Sequence, residues 1–239
     1  MRTVFKRELA AYFRTPTGYV FIAIFLGLSG LIFYLGNLRT FSGDLLTFLA
    51  QLRLLCMLLC PMLTMRLISE ERQKKTDQLL MTSPVSLGSI VLGKYLAAAT
   101  VMLITILLLN GFSLIIILYG KLYVGEWFVG HLGFVLQSLA FIALDLFMSC
   151  FGKNQITGAI AGFAANFFLW LTDLLAGQVS IGWIRDSLNF VSLYARYEPF
   201  QLGQLSYASI LFFVSFIAVC LVCTFRVLDA RRFSEGGAA

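Results

Sequence analysis

Six stretches of this chain are each long and apolar enough to cross a lipid bilayer, and no other feature restricts the fold so severely. They run roughly over Gly18–Leu35, Leu45–Ile68, Leu87–Tyr119, Phe128–Phe151, Ile156–Ala176 and Tyr207–Leu228. About 20 helical residues cover the ~30 Å hydrocarbon layer, so the third stretch is predicted to tilt or to project beyond it. No water is available there to satisfy a bare N–H or C=O, so each span has to be a helix. Composition agrees: the 239 residues are 59% apolar and 13% charged, with a mean hydropathy of +0.88. A soluble domain is about 45–50% apolar and about 25% charged. A water-soluble globule and a disordered chain are both excluded. The reading is one all-α integral membrane domain over residues 1–239.

The basic residues orient the spans. Thirteen of the 18 Lys and Arg fall on one side of the predicted bilayer, four on the other, and Arg53 lies within the second span. Basic loops stay in the cytoplasm, and an even number of spans returns the chain to its starting side, so both termini are expected in the cytoplasm. The net charge of +6 is read as this orientation signal rather than as a nucleic-acid footprint. The N-terminal MRTVFKRELAAYFRTP lacks a short apolar core followed by a small-residue cleavage site, and is read as part of the mature chain.

Three segments outside the spans have character of their own. Over residues 1–16, Phe5, Leu9, Tyr12 and Phe13 recur on one helical face with Lys6, Arg7 and Arg14 elsewhere, which predicts an amphipathic interfacial helix stopped by Pro16. Residues 69–86 (SEERQKKTDQLLMTSPVS) form the largest cytoplasmic loop. Its Glu70, Glu71, Arg72, Lys74, Lys75, Thr76 and Asp77 make a mixed-charge, helix-forming run, and Leu79, Leu80 and Met81 follow as an apolar patch before Ser83-Pro84 breaks the helix. A solvated connector has no need to present Leu-Leu-Met to water, whereas a short helix with an apolar knob suits docking in a partner's groove. Residues 177–206, with Trp183, Leu188 and Phe190, are too short and too polar to cross twice and are expected to dip into the outer leaflet as one or two short helices.

The motifs that carry chemistry elsewhere are weak here. Gly88-Ser-Ile-Val-Leu-Gly93-Lys94 spells GxxxxGK, but Tyr95 stands where a nucleotide-binding loop places Ser or Thr, and the segment opens a membrane helix with no strand before it. The five cysteines (56, 60, 150, 220 and 223) sit among apolar neighbours and read as packing. His131 reads as a solvated or interfacial histidine near the outer end of the fourth span. No nucleophile–base–orienter set is visible, so no catalytic, cofactor-binding or metal residue is assigned. Ionisable and polar groups at membrane depth carry more weight: Arg53, Asn110, Gln137, Asp145 and Asn166 are candidates for a pathway or for interhelix contacts. Arg53 and Asp145 differ in depth by roughly 10 Å, so Arg53 is expected to match Asn110 and Gln137, with Asp173 within reach by snorkelling. Gly158-Ala-Ile-Ala-Gly162 is a GxxxG face for close helix approach, inside one subunit or between two.

The segments FKRELAAYFRTPTGYVF, RLISEERQKKTDQLLMTSPVS with GKYLAA, and the run Arg196-Tyr197…Phe200…Gly203 together resemble the permease subunits of ABC-2 type ABC transporters. The likeness is closest to the branch containing gliding-motility-type and related Firmicute permeases, and it spans essentially the whole chain. It implies the ABC-2, type V exporter-like, permease fold in the bacterial cytoplasmic membrane. It also implies that residues 70–86 contain the coupling helix that meets an ATPase, with Glu70, Glu71, Arg72, Thr76, Leu79, Leu80 and Pro84 as coupling residues. Lys75 stands where the family's loop usually has Gly, and Gln78 where it has a second Glu. The implied partners are cytosolic ABC ATPase subunits holding ATP and Mg, a second permease copy or paralogue, an extracytoplasmic accessory protein and membrane lipid, with no nucleic acid. The alternative reading is a non-transporting membrane anchor or regulatory module of a cell-envelope complex.

Overall fold

The computed structural model describes residues 1–73, 86–119, 121, 123–176, 178 and 192–236, and every regular element among them is helical. Helix α1 (Arg2–Arg14) ends where Thr15 turns extended (φ −99°, ψ 157°) ahead of Pro16, the conformation a following proline imposes. Helix α2 (Thr17–Phe33) then leaves at once. The turn is tight: a Cβ on Gly18 would lie 2.8 Å from the Tyr12 carbonyl oxygen. The first span runs three residues past the expected Leu35, because α2 closes in a π-helical turn, Tyr34–Leu38. There Asn37 turns inward and donates to the carbonyls of Ser42 (3.0 Å) and Asp44 (3.1 Å), tying off the connection to the next helix.

Helix α3 (Leu45–Gln73) is capped by Asp44, whose carboxylate accepts from the Thr47 amide at 3.1 Å. It does not stop at Ile68, where the sequence places the loop, but continues through Glu70, Glu71 and Arg72. The reason is that Leu67, Ile68 and Ser69 remain buried and the acids beyond them find basic partners, Arg66 for Glu70 and Lys94 for Glu71. Helices α4 (Leu87–Tyr119), α5 (Val124–Ser149), α6 (Gln155–Ala176), α7 (Leu193–Gln201) and α8 (Tyr207–Gly236) complete the chain. The 33 residues of α4 span about 50 Å at ~1.5 Å per residue, longer than the hydrocarbon layer. Asn154 and Ser192 cap α6 and α7 through the amides of Thr157 (2.8 Å) and Ala195 (3.0 Å).

Six of these helices are long and apolar enough to span a membrane. Burial sorts them: 56% of the apolar window of α3 and 61% of that of α5 lies inside, against 17% for α6 and 22% for α8. Helices α3 and α5 therefore form the axis of the bundle, and the others present apolar faces outward, as lipid permits. The GxxxG of α6 is spent within the subunit. Gly158 lies against Ser69 of α3, and a Cβ on Gly162 would stand 2.9 Å from Asp145 Oδ1 and 3.3 Å from Pro61 Cβ.

Candidate functional site

The end of the bundle that carries the termini is held by a charged node on three helices. Lys94 of α4 is 1% exposed, yet it is fully engaged: its ammonium donates to the Leu67 carbonyl and pairs with Glu71 of α3 (2.8 Å) and Glu8 of α1 (3.3 Å). Arg7 closes the ring on Glu8 (2.6 Å) and Glu71 (3.0 Å). Lys94 is thus neutralised by Glu71 and Glu8 where water is scarce, the condition under which a buried ion pair is tolerated, while Arg7, with a side chain 53% exposed, closes the ring at the water-facing edge. The neighbouring glycine makes the approach possible, since a Cβ on Gly93 would stand 3.0 Å from Val4 and 3.2 Å from the Phe5 amide nitrogen. The GK pair of the GxxxxGK string is thus helical, and it seats α1 on α4.

Burial pushes the Glu8 carboxyl up, but Lys94 and Arg7 together outweigh it and hold the group below the usual carboxylate range. Burial also pushes the Tyr12 phenol up, and its hydroxyl donates to the Leu63 carbonyl at 2.6 Å. Arg66 lies over the Tyr12 ring (5.3 Å), pairs with Glu70 (3.4 Å) and donates to Thr15 (2.7 Å). On the opposite face of α3, Arg72 donates to the Gly152 carbonyl (3.2 Å) and Ser69 to the Ser149 carbonyl (2.9 Å). The last two turns of α3 therefore fasten α1, α2, α4 and the α5–α6 turn to one another. Of the candidate coupling residues, Glu70, Glu71 and Arg72 belong to this hub; Thr76, Leu79, Leu80 and Pro84 lie outside the described residues.

Deeper in the bundle, α3, α5 and α6 share a polar contact that begins with a backbone defect. Pro61 has no N–H to give to the Met57 carbonyl four residues earlier. Asn166 supplies the missing donor: its Nδ2 reaches Met57 O at 3.4 Å and Asp145 Oδ1 at 2.9 Å. Asp145 and Asn166, named separately from the sequence, are thus brought together. Asn110 is not alongside Arg53 in this way; its Oδ1 accepts from Trp127 Nε1 at 3.1 Å. Arg53 stacks instead on Tyr197 (4.8 Å) and Tyr194 (5.4 Å) of α7 and donates Nε to the Ala50 carbonyl (3.0 Å). Asp173 accepts from Ser192 at 2.6 Å. His131 is buried rather than solvated, with Nδ1 2.8 Å from the Trp127 carbonyl and its ring 5.0 Å from that indole. The five cysteines are free thiols, and Cys56 Sγ lies 3.4 Å from Ser138 Oγ.

The sequence signature of the ABC-2 family transporter proteins matches residues 52–231. This chain belongs to that family. A search of curated proteins gave no match. ABC-2 permeases are in general non-catalytic membrane subunits that work with an ABC ATPase, and the six apolar helices here make this member a multi-pass membrane protein. The matched stretch begins on α3 and includes Glu71, Lys94, Asp145 and Asn166; Arg7 and Glu8 precede it. Sequence reasoning missed Glu8 and Lys94 as partners. The available signal was a lysine seven residues inside a helix with no other charged residue for two turns on either side, which demands a counter-ion from elsewhere.

Proposed function

We propose that this ABC-2 protein is the permease subunit of an exporter in the bacterial cytoplasmic membrane, with both termini in the cytoplasm. It pairs with a second copy or paralogue, and separate ATPase subunits hold ATP and Mg. The observation that carries the reading is the ion-paired node. Glu70, Glu71 and Arg72 lead directly into residues 74–85, where the family likeness places the ATPase contact. A push on that segment is passed at once to α1 through Arg7, to α4 through Lys94 and to the α5–α6 turn through Arg72. The inner part of this network moves as a unit, because breaking a Lys94 pair strands a buried charge. Closure of the ATPase dimer then favours one arrangement of the bundle only through contacts that differ between the two arrangements, and the coupling segment supplies them.

The test is reconstitution with a cognate ABC ATPase. Leu79→Asp combined with Leu80→Asp is expected to insert normally but to lose ATPase co-purification and ATP-driven transport. Glu71→Gln is expected to keep the ATPase bound while lowering transport per ATP hydrolysed severalfold. Unchanged transport in the Leu79/Leu80 variant would contradict the docking site.

A further inference from the structure

In the half of the bundle away from the termini, three polar side chains on two helices, Gln137, Tyr194 and Tyr197, leave their hydrogen-bonding capacity unused. Gly133 of α5 lies under Phe200 of α7, with a Cβ there 2.5 Å from the phenyl ring, and the Phe141 ring stands 6.3 Å from that of Tyr194. Gln137 is midway between Gly133 and Phe141 on the same helical face, just as Tyr197 is midway between Phe200 and Tyr194 on α7. That spacing puts Gln137 and Tyr197 at matching heights on adjoining helices. Both are buried, at 1% and 0% exposure, and Tyr194 is 8% exposed. Yet Gln137 Nε2 and Oε1 and the hydroxyls of Tyr194 and Tyr197 have no hydrogen-bond partner. Native interiors satisfy such groups as a rule, so a set of four in one place calls for something that partners them.

Arg53 supplies the charge. Its guanidinium lies over the rings of Tyr194 and Tyr197 and its Nε donates to the Ala50 carbonyl, while Asp173 and Glu198 lie within electrostatic reach but form no ion pair with it. The Cys56–Ser138 contact sets the relative depth of α3 and α5. Arg53 precedes Cys56 by three residues and Gln137 precedes Ser138 by one, on helices running the same way. They therefore differ in depth by only about 3 Å. A fixed cation, an amide N–H and two phenol O–H groups form a donor-rich set suited to an oxyanion; a cationic ligand would meet the guanidinium. Asp173 at the rim, held by Ser192, disfavours a second negative charge.

We propose that Arg53, Gln137, Tyr194 and Tyr197 bind a singly charged oxyanion, the phosphodiester headgroup of an amphiphile that this protein handles. The proposal rests on the transporter reading for its cargo role, but its test does not. The purified full chain, without any ATPase, is titrated in neutral detergent with dihexanoyl phosphatidylglycerol, the phosphate-free dihexanoylglycerol and inorganic phosphate, and binding is read as thermal stabilisation. The phosphatidylglycerol is expected to bind saturably and the dihexanoylglycerol at least tenfold more weakly. Tyr197→Phe, which keeps the ring on Arg53 and removes only the hydroxyl, is expected to weaken binding about tenfold, and Arg53→Gln to abolish it. Equal affinity in wild type and Tyr197→Phe, or equal binding of the two lipids, overturns the site. Tight binding of inorganic phosphate alone keeps the oxyanion site and overturns the amphiphile as its source. Loss of binding here leaves the Leu79/Leu80 test standing, and loss of coupling there leaves this one standing.

Discussion

Lys94 carries a charge with almost no water around it, and that single fact organises the terminal end of the molecule. Removing one member of a buried ionic group leaves the others uncompensated, at a cost of about 3 kcal/mol. Lys94→Met should therefore lower the midpoint of thermal unfolding, and adding Glu71→Gln should recover part of the loss, leaving Arg7 on Glu8; strict additivity of the two changes would argue against the node. Asn166 invites the same kind of cycle. Asn166→Leu orphans the Met57 carbonyl and should cost about 1–3 kcal/mol. Pro61→Ala restores the helix's own N–H to that carbonyl. The double variant Pro61→Ala/Asn166→Leu should thus lose less than the sum of the two singles, as read by unfolding in detergent.

At the scale of the element, α1 is the part whose position depends most on charge. Outside the spans it is joined to the body by Tyr12, by the close approach at Gly93 and by the pairs of Arg7 and Glu8. The folded Glu8 carboxyl titrates below its free value. Its contribution is then fully present above the free value, near pH 4.5, and is lost as pH falls through the lower, folded one. Acidification below that free value should therefore release α1, detectable as increased mobility of a spin label on its exposed face. Glu8→Gln should show a looser α1 at neutral pH and a flatter profile. Gly93→Val should displace the same helix at every pH, because its wedge is steric.

For the whole molecule, the use of GxxxG inside the subunit separates packing from association. Gly158 and Gly162 are occupied by Ser69, Pro61 and Asp145 of the same chain, so they are not a free surface for a second copy. Gly158→Leu is predicted to lower the unfolding midpoint by several degrees while the protein that remains folded keeps the oligomeric state of the wild type in size-exclusion chromatography with light scattering. Selective loss of the oligomer from folded protein would reverse that assignment. The exposed faces of α2, α6 and α8, with Ile24, Leu31, Phe168 and Leu211 among their large apolar residues, remain for lipid and, in the proposed assembly, for a second permease.

The all-α membrane class and the six spans were legible in the chain because each depends on a local quantity, some 20 consecutive apolar residues, and a lone helix in lipid must satisfy its own backbone. The ABC-2 likeness was legible for a similar reason, since its most specific block is one continuous run around Glu70–Ser86. The Lys94–Glu8 pair joins residues far apart in the chain, the Asn166 bond answers a defect at Pro61 on another helix, and the stack of Arg53 on Tyr194 and Tyr197 depends on where a short helix lands. Charge and polarity mark such residues as needing partners, and depth alone suggested Asn110 for Arg53. Only helix packing decides which partner arrives, because side chains of similar depth compete for the same group and the rotation of each helix selects among them.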